Sequence, residues 1–129
     1  MQMTRPMQVL LSVAFATLVS GPLLAQEGDP AAGEKVFNKC KACHVLDEER
    51  NRVGPYLLGV IGRPAGSAEG FTYSPAMKDS GIVWDEVTIA EYVTDPKAYI
   101  PGNRMAFPGL KKPEDVTNLM AYLKEATAQ

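Results

Sequence analysis

Apolar residues recur at helical spacing in three segments of this chain. The first segment, residues 30–41, opens with Asp29 before Pro30, a capping carboxylate followed by proline at the first helical position. The second, residues 87–94, ends at Asp95 because the residue before a proline is disfavoured in the α conformation, and Asp95 can cap a further short helix over residues 96–99. The third begins near Pro113. Its apolar face consists of Val116, Leu119, Met120 and Leu123.

Residues 45–80 lack this periodicity and are interrupted by glycine and proline throughout. No segment alternates convincingly between apolar and polar residues, so no strand is predicted. A loop of this length is unusual in a compact domain unless something fills its concave side. The pattern therefore predicts an all-α fold with long loops wrapped around a bound group.

The N-terminal residues have the pattern of an export signal. Arg5 supplies a positive charge, residues 9–19 are an apolar core, and Gly21-Pro22 interrupts it before Ala25. We expect residues 1–25 to be a signal peptide cleaved after Ala25, leaving residues 26–129 as one domain in the periplasm. The alternative is an uncleaved membrane anchor, although its polar residues, glycine and proline are unfavourable for a span of about 20 apolar residues.

Charge excludes one class of partner. Removing Arg5 from the 13 Lys and Arg residues leaves 12 against 15 Asp and Glu residues, so the expected mature domain has a net charge of −3. Neither a basic excess nor a basic patch rich in aromatic residues indicates nucleic-acid binding. We expect a monomer.

The most specific motif is Cys40-Lys41-Ala42-Cys43-His44, which contains both cysteines and the single histidine of the chain. Covalent c-type haem attachment requires this spacing: each thiol adds to one vinyl group, and the adjacent imidazole becomes an axial iron ligand. We therefore predict one covalent haem c held by Cys40 and Cys43, with His44 binding the iron.

Three other uses of these residues were weighed. A thiol–disulfide redox motif is expected in a βαβ setting, which the pattern lacks. A structural zinc site needs four cysteine or histidine ligands, and the chain has three such residues. A structural disulfide across so short a loop would restrict the unfolded chain little.

The second axial ligand is expected to be a methionine, because a thioether raises the reduction potential of an electron carrier and no second histidine exists. Met120 lies on the apolar stripe of the last helix and is expected to be core. Met105 follows Pro101 and Gly102, whose bend can direct one side chain inward. Context favours Met105 and leaves Met77 open.

Several ordered motifs resemble the class I cytochromes c, specifically the mitochondrial-like soluble carriers of bacteria, over about residues 33–126. Besides the attachment motif, they are Gly54-Pro55-Tyr56-Leu57-Leu58-Gly59, Gly70-Phe71-Thr72-Tyr73, Gly81-Ile82-Val83-Trp84, Asp95-Pro96-Lys97-Ala98-Tyr99-Ile100-Pro101-Gly102-Asn103-Arg104-Met105-Ala106-Phe107 and Leu119-Met120-Ala121-Tyr122-Leu123. The resemblance implies the cytochrome c fold and Met105 as the second ligand.

The resemblance also implies roles for individual side chains around the haem. Pro55 would accept a hydrogen bond from the His44 ring, and Arg63 would offset the charge of a haem propionate. Tyr73 and Trp84 would donate hydrogen bonds to that propionate. The remaining two are Tyr92, as donor to the methionine sulfur, and Phe107, as cover of the haem edge.

Other features follow the family or depart from it. Gly33 and Phe37 would cross Leu119 and Tyr122, with the glycine permitting close approach of the first and last helices. Met77 stands where many relatives have an asparagine that holds a water molecule. Pro108 replaces a small residue after Phe107.

The function expected from this resemblance is one-electron transfer between a cytochrome bc complex and a terminal oxidase or photosynthetic reaction centre. Two other classes were considered: a peroxidase or oxygen-handling enzyme, which needs an open sixth position, and a haem domain of a larger oxidase. Partners are expected to dock on a basic ring at the haem edge. The ring consists of Lys39, Arg52, Lys97, Arg104, Lys111 and Lys112, to which Lys41 adds.

Overall fold

The computed structural model describes Gly21 and residues 27–129. Within these residues the elements in chain order are α1 (Pro30–Phe37), α2 (Pro75–Lys78), α3 (Glu86–Thr94), α4 (Pro96–Tyr99) and α5 (Pro113–Ala126). The same part of the chain contains no strand, and its extended pairing is limited to one isolated bridge between Pro64 and Val83. This architecture agrees with the predicted all-α fold. The predicted signal segment lies outside the described residues apart from Gly21.

Helix starts follow the capping residues seen in the sequence. The Asp29 carboxylate accepts a hydrogen bond from the Ala31 N–H at 2.9 Å, and the Asp95 carboxylate accepts one from Ala98 at 3.2 Å. Both helices then continue with proline, whose missing N–H has no helical partner to lose. Helix α3 begins at Glu86, one residue earlier than predicted, because Asp85 and Thr88 form a reciprocal capping box.

Helix α1 is shorter than predicted. It ends at Phe37 rather than near Lys41, so that boundary was wrong. The Asn38 and Lys39 N–H groups bond carbonyls three residues back, at 3.3 and 3.1 Å, and these tighter bonds replace the α-helical ladder. The consequence is a series of turns that carries Cys40 out of the helix.

The first and last helices cross at a glycine, as predicted. A Cβ atom at Gly33 would lie 1.9 Å from the Asn118 carbonyl oxygen and 2.8 Å from the Tyr122 Cβ. The rings of Phe37 and Tyr122 pack with their centroids 5.8 Å apart, and Leu119 beneath them is 1% exposed. The contact of α1 with α5 is therefore made by backbone approaching backbone.

Gly33→Ala is expected to lower the free energy of unfolding by about 2 kcal/mol or more, since overpacking a close contact commonly costs 1–3 kcal/mol. Denaturant titration should show a lower midpoint at an unchanged slope. Glu34→Ala, on the exposed side of the same helix, is the control and should leave the midpoint nearly unchanged. Equal midpoints for the two variants would contradict the close approach.

The long loop between α1 and α3 contains one helical turn, α2, as the glycine and proline pattern predicted. Asn51 ties its two limbs: its side-chain amide donates to the Glu69 carbonyl at 2.9 Å, and its oxygen accepts from the Tyr56 N–H at 3.1 Å. Few other side-chain hydrogen bonds join distant parts of this loop. Its shape therefore depends on its glycine and proline turns and on the group that it encloses. In the described part of the chain, no helix is long and apolar enough to cross a membrane.

Candidate functional site

Both cysteines lie on one turn immediately after α1. The N–H groups of Cys43 and His44 each donate to the Cys40 carbonyl, both at 3.0 Å. The thiols are half-buried and not joined to each other. The turn therefore presents two thiols and an imidazole together, as the motif predicted.

The Cys40 thiol is poorly suited to thiol–disulfide exchange. Burial, and then the neighbouring Cys43, raise the pKa of Cys40 to about 11. Exchange proceeds through the thiolate, and catalytic redox cysteines have lowered pKa values. The structure thus weakens the thiol-redox alternative and leaves covalent attachment as the better use of the pair.

The imidazole of His44 is held by a hydrogen bond to the loop that follows it. Its Nδ1 donates to the Pro55 carbonyl oxygen at 2.7 Å, which is the contact expected for Pro55. A backbone carbonyl can only accept, so the ring carries its proton on Nδ1 and Nε2 keeps a free lone pair. Burial lowers the pKa of His44 despite that hydrogen bond, and Arg63 lowers it further, so the ring is neutral near pH 7. A neutral imidazole with Nε2 free is a ready metal ligand.

Gly54 leaves space for the His44 imidazole because it has no side chain. A Cβ atom there would lie 2.4 Å from Cε1 of His44 and 2.9 Å from Nδ1. The Gly54 N–H also donates to the Cys43 carbonyl at 2.9 Å, which joins this turn to the attachment turn. Sequence reasoning assigned no role to Gly54 beyond the family motif, because the contact depends on where the loop returns.

Met105 lies half-buried in an irregular loop held by one asparagine. The Asn103 amide donates to the carbonyls of Pro96 and Ile100 at 2.7 and 2.8 Å, and its oxygen accepts from the Met105 N–H at 2.8 Å. Sequence reasoning missed this role, although an asparagine beside Gly102 is a common signal for side-chain bonds to a turn backbone. Asn103 thus fixes the backbone from which the Met105 side chain projects.

The other two methionines differ in setting. Met120 is 7% exposed in the core, as predicted. Met77 is half-buried on α2, and its neighbour Ala76 lies against the loop of Met105: a Cβ at Gly102 would be 3.2 Å from the Ala76 Cβ. Met105 and Met77 both pack against the core cluster. The preference for Met105 as ligand remains a prediction.

The surroundings of Arg63 indicate that the site binds an anionic group. Its guanidinium lies over the Tyr56 ring, 5.0 Å from the centroid, and donates to the carbonyls of Tyr56 at 2.8 Å and Leu58 at 3.3 Å. Its buried Nε has no hydrogen-bond partner within the described residues. A partly buried cation whose Nε is open as a donor favours an anionic acceptor, as a haem propionate would be. The residues present therefore fit the haem that the motif predicts.

Two aromatic residues were expected to serve the same propionate. The Tyr73 hydroxyl accepts a hydrogen bond from the Ala68 N–H at 3.0 Å, which leaves its own proton available to donate. Trp84 is 8% exposed; its N–H donates to the Arg63 carbonyl at 2.9 Å, and its carbonyl accepts from the Gly62 N–H at 2.6 Å. This pairing brings Trp84 beside the segment that carries the Arg63 guanidinium.

Tyr92 lies between two further rings, 5.1 Å from Trp84 and 6.3 Å from Tyr99 between centroids. Burial raises the pKa of Tyr92 to about 12, so the phenol stays protonated and able to donate. Phe107 is half-buried against the same core, and its N–H bonds the Met105 carbonyl at 2.9 Å. Both placements are compatible with the expected roles, which remain predictions.

The six cations of the predicted ring are all exposed. Two of them bond backbone carbonyls: Arg52 reaches Lys41 at 3.4 Å and Lys111 reaches Pro108 at 3.0 Å. Across residues 27–129 the ion pairs are Arg50 with Glu48 and Lys124 with Glu86, so none of the six is neutralised by a carboxylate there. Their positive charges are available to a partner.

Comparison with known proteins assigns the chain to a family. A family model described as cytochrome c matches residues 30–127. The chain is 51% identical to cytochrome c-554 of Methylosinus trichosporium over 115 residues, which is 88% of this chain and 86% of that protein. It is 53% identical to cytochrome c2 of Rhodoblastus acidophilus over 102 residues, covering 78% of this chain and 95% of the relative.

A solved structure resembles the fold directly. Cytochrome cH from Methylobacterium extorquens superposes with a TM-score of 0.71 at 49% sequence identity. The match covers 75% of this chain and 98% of that protein, so it includes nearly the whole of the neighbour's domain. The predicted fold class is confirmed.

Proposed function

The chain belongs to the cytochrome c family, and from that premise we propose that it is a periplasmic carrier of single electrons between membrane redox complexes. Membership of the family implies covalently bound haem c and an electron carrier rather than an enzyme. Haem c supplies the one-electron ferric–ferrous couple when bound. The residues described above determine how tightly that group is held, how dry its surroundings are, and where a partner can reach it.

The observation that carries the ligand assignment is the 2.7 Å hydrogen bond from His44 Nδ1 to the Pro55 carbonyl. It fixes the tautomer and the ring orientation, so that Nε2 is presented as a ligand without rearrangement. We assign Met105 as the second ligand, since Asn103 fixes its backbone with three hydrogen bonds. Rigid ligands in a site of low polarity keep reorganisation small when an electron arrives or leaves.

The charged edge of the haem has its own set of residues. Arg63 provides a partly buried positive charge with an open Nε donor, and Tyr73 and Trp84 would provide neutral donors. Phe107 and Tyr92 complete the apolar surroundings on the Met105 side. Together these five residues would bury a propionate while its charge stays paired, which is the condition for stable burial of an anion.

The proposed partners are a cytochrome bc complex as donor and a terminal oxidase or photosynthetic reaction centre as acceptor. The proposed docking surface is the basic ring, whose exposed cations have no carboxylate partner within residues 27–129. A local positive surface on a protein of negative net charge orients the molecule before contact and speeds association. Placement in the periplasm rests on the predicted signal peptide and cleavage after Ala25.

Electron transfer from a purified bacterial cytochrome bc complex is expected to slow as ionic strength rises, because salt screens charges over a Debye length of about 8 Å at physiological strength. Lys97→Glu is expected to lower the low-salt rate constant by roughly tenfold and to flatten its salt dependence. Stopped-flow reduction of the protein measures both.

Lys78→Glu is the matched control, since Lys78 is exposed on α2 but is not part of the ring. It changes net charge by the same amount and should retain most of the wild-type salt dependence. A rate that ignores salt, or equal effects of the two reversals, would contradict docking through the ring.

A further inference from the structure

Val53 is an exposed apolar side chain in a turn that is bonded to the haem-attachment turn. Four large hydrophobic residues are exposed in the described part of the chain, and Val53 is the most exposed of them at 79%. Single exposed aliphatic residues are common and need no explanation by themselves, so its position must decide whether it matters.

The turn that carries Val53 is bonded directly to the attachment turn. The Gly54 N–H donates to the Cys43 carbonyl at 2.9 Å, and the Arg52 guanidinium donates to the Lys41 carbonyl at 3.4 Å. Within the turn, the Arg52 N–H donates to the Gly54 carbonyl at 2.9 Å. Val53 is therefore held at the tip of an ordered turn, and little ordering entropy is lost when a partner covers it.

The same turn touches the axial histidine. Gly54, the next residue, packs so closely on His44 that a Cβ there would lie 2.4 Å from the ring. A partner atom resting on Val53 is thus separated from the imidazole by one residue of closely packed backbone. Contact at this point brings a partner near both the ligand and the covalent attachment.

The charges around Val53 indicate what kind of surface fits. Arg52 precedes it, the Arg52 guanidinium reaches the backbone carbonyl of Lys41, and neither residue is paired with a carboxylate within residues 27–129. The acidic run at residues 47–49 is earlier in the loop, where Glu48 is paired with Arg50 at 2.9 Å. An apolar tip flanked by unpaired cations is complementary to an apolar surface rimmed by carboxylates.

We propose that Val53 is the apolar anchor of the docking surface, inserting into an apolar patch rimmed by carboxylates on the membrane redox complex. This inference rests on the proposed function. It adds to the basic ring an apolar contact, which charged residues do not provide. The basic ring governs encounter and its salt dependence, whereas Val53 governs the lifetime of the docked complex, which salt does not screen.

The test is Val53→Thr, which keeps the shape of the side chain and replaces a methyl group by a hydroxyl. The second-order rate constant of reduction by a purified bacterial cytochrome bc complex is measured at low and high ionic strength. We expect it to fall about fivefold at both ionic strengths, so that the salt dependence is unchanged, and we expect the reduction potential to stay the same. Val87→Thr, at a valine 65% exposed on α3, is the matched control and should behave as the wild type.

Four results would overturn the proposal. An unchanged high-salt rate for Val53→Thr, or an equal loss for Val87→Thr, would remove the anchor while leaving the carrier function intact. A wild-type dimer in sedimentation that Val53→Thr dissociates would assign the surface to a second copy of the chain. A wild-type protein that the complex does not reduce at any salt would remove the proposed donor, and the anchor with it.

Discussion

Met105→Ala is expected to abolish the methionine–iron absorption band of the ferric protein and to lower the reduction potential, while haem stays attached. Attachment depends on the thiols of Cys40 and Cys43, which the substitution does not touch. The potential should fall by on the order of 0.1 V or more, a fraction of the roughly 0.8 V over which axial ligands tune haem. Absorption spectroscopy and a redox titration measure the two effects.

Met77→Ala is the matched control for this result, because Met77 is also half-buried against the core. It should keep the band, since its side chain belongs to α2 and not to the loop fixed by Asn103. If Met77→Ala lost the band and Met105→Ala kept it, the ligand assignment would be reversed. The His44 assignment would stand in either case, because it depends on a separate contact with Pro55.

A Cys40→Ser, Cys43→Ser chain without haem is expected to be largely unfolded. Residues 45–80 contain one helical turn and enclose little of their own apolar surface, so they depend on the bound group for a core. Arg63 would in addition keep a buried, unpaired donor. Far-ultraviolet circular dichroism should show most of the helical signal lost, and heating should produce no cooperative transition.

The wild-type chain prepared without haem attachment is the control for the serine substitutions and should give the same spectrum. A cooperative thermal transition in either haem-free chain would contradict the expectation. It would show that the contact between α1 and α5 suffices to organise the loops. A transition in the haem-free wild-type chain alone would show that the two serine substitutions, and not the absence of haem, cause the unfolding.

The sequence predicts the helices of this protein well because their boundaries are encoded locally. Asp29 with Pro30 and Asp95 with Pro96 are short-range signals, and both begin a helix as expected. The end of α1 was misplaced because no proline or glycine marks it. The switch to tighter bonds after Phe37 depends on how the attachment turn packs, which the local sequence does not state.

The site is predictable only in part. The grouping of Cys40, Cys43 and His44 is local, so the motif reveals it, whereas most of the remaining roles came from the resemblance to a family. The contacts of Gly54 with His44 and of Asn51 with Glu69 join residues separated along the chain. Such contacts depend on the path of the loop, which no local sequence pattern encodes.

The crossing of α1 and α5 also joins the two ends of the described domain. The Asp29 N–H donates to the Asn118 side chain at 2.8 Å, a contact between residues 89 apart in sequence. Helix α1 therefore lacks this docking partner until the chain extends through α5. The bonds within the turn that carries both thiols are local, because the Cys43 and His44 N–H groups donate to the Cys40 carbonyl. The attachment turn can therefore form before the two helices dock.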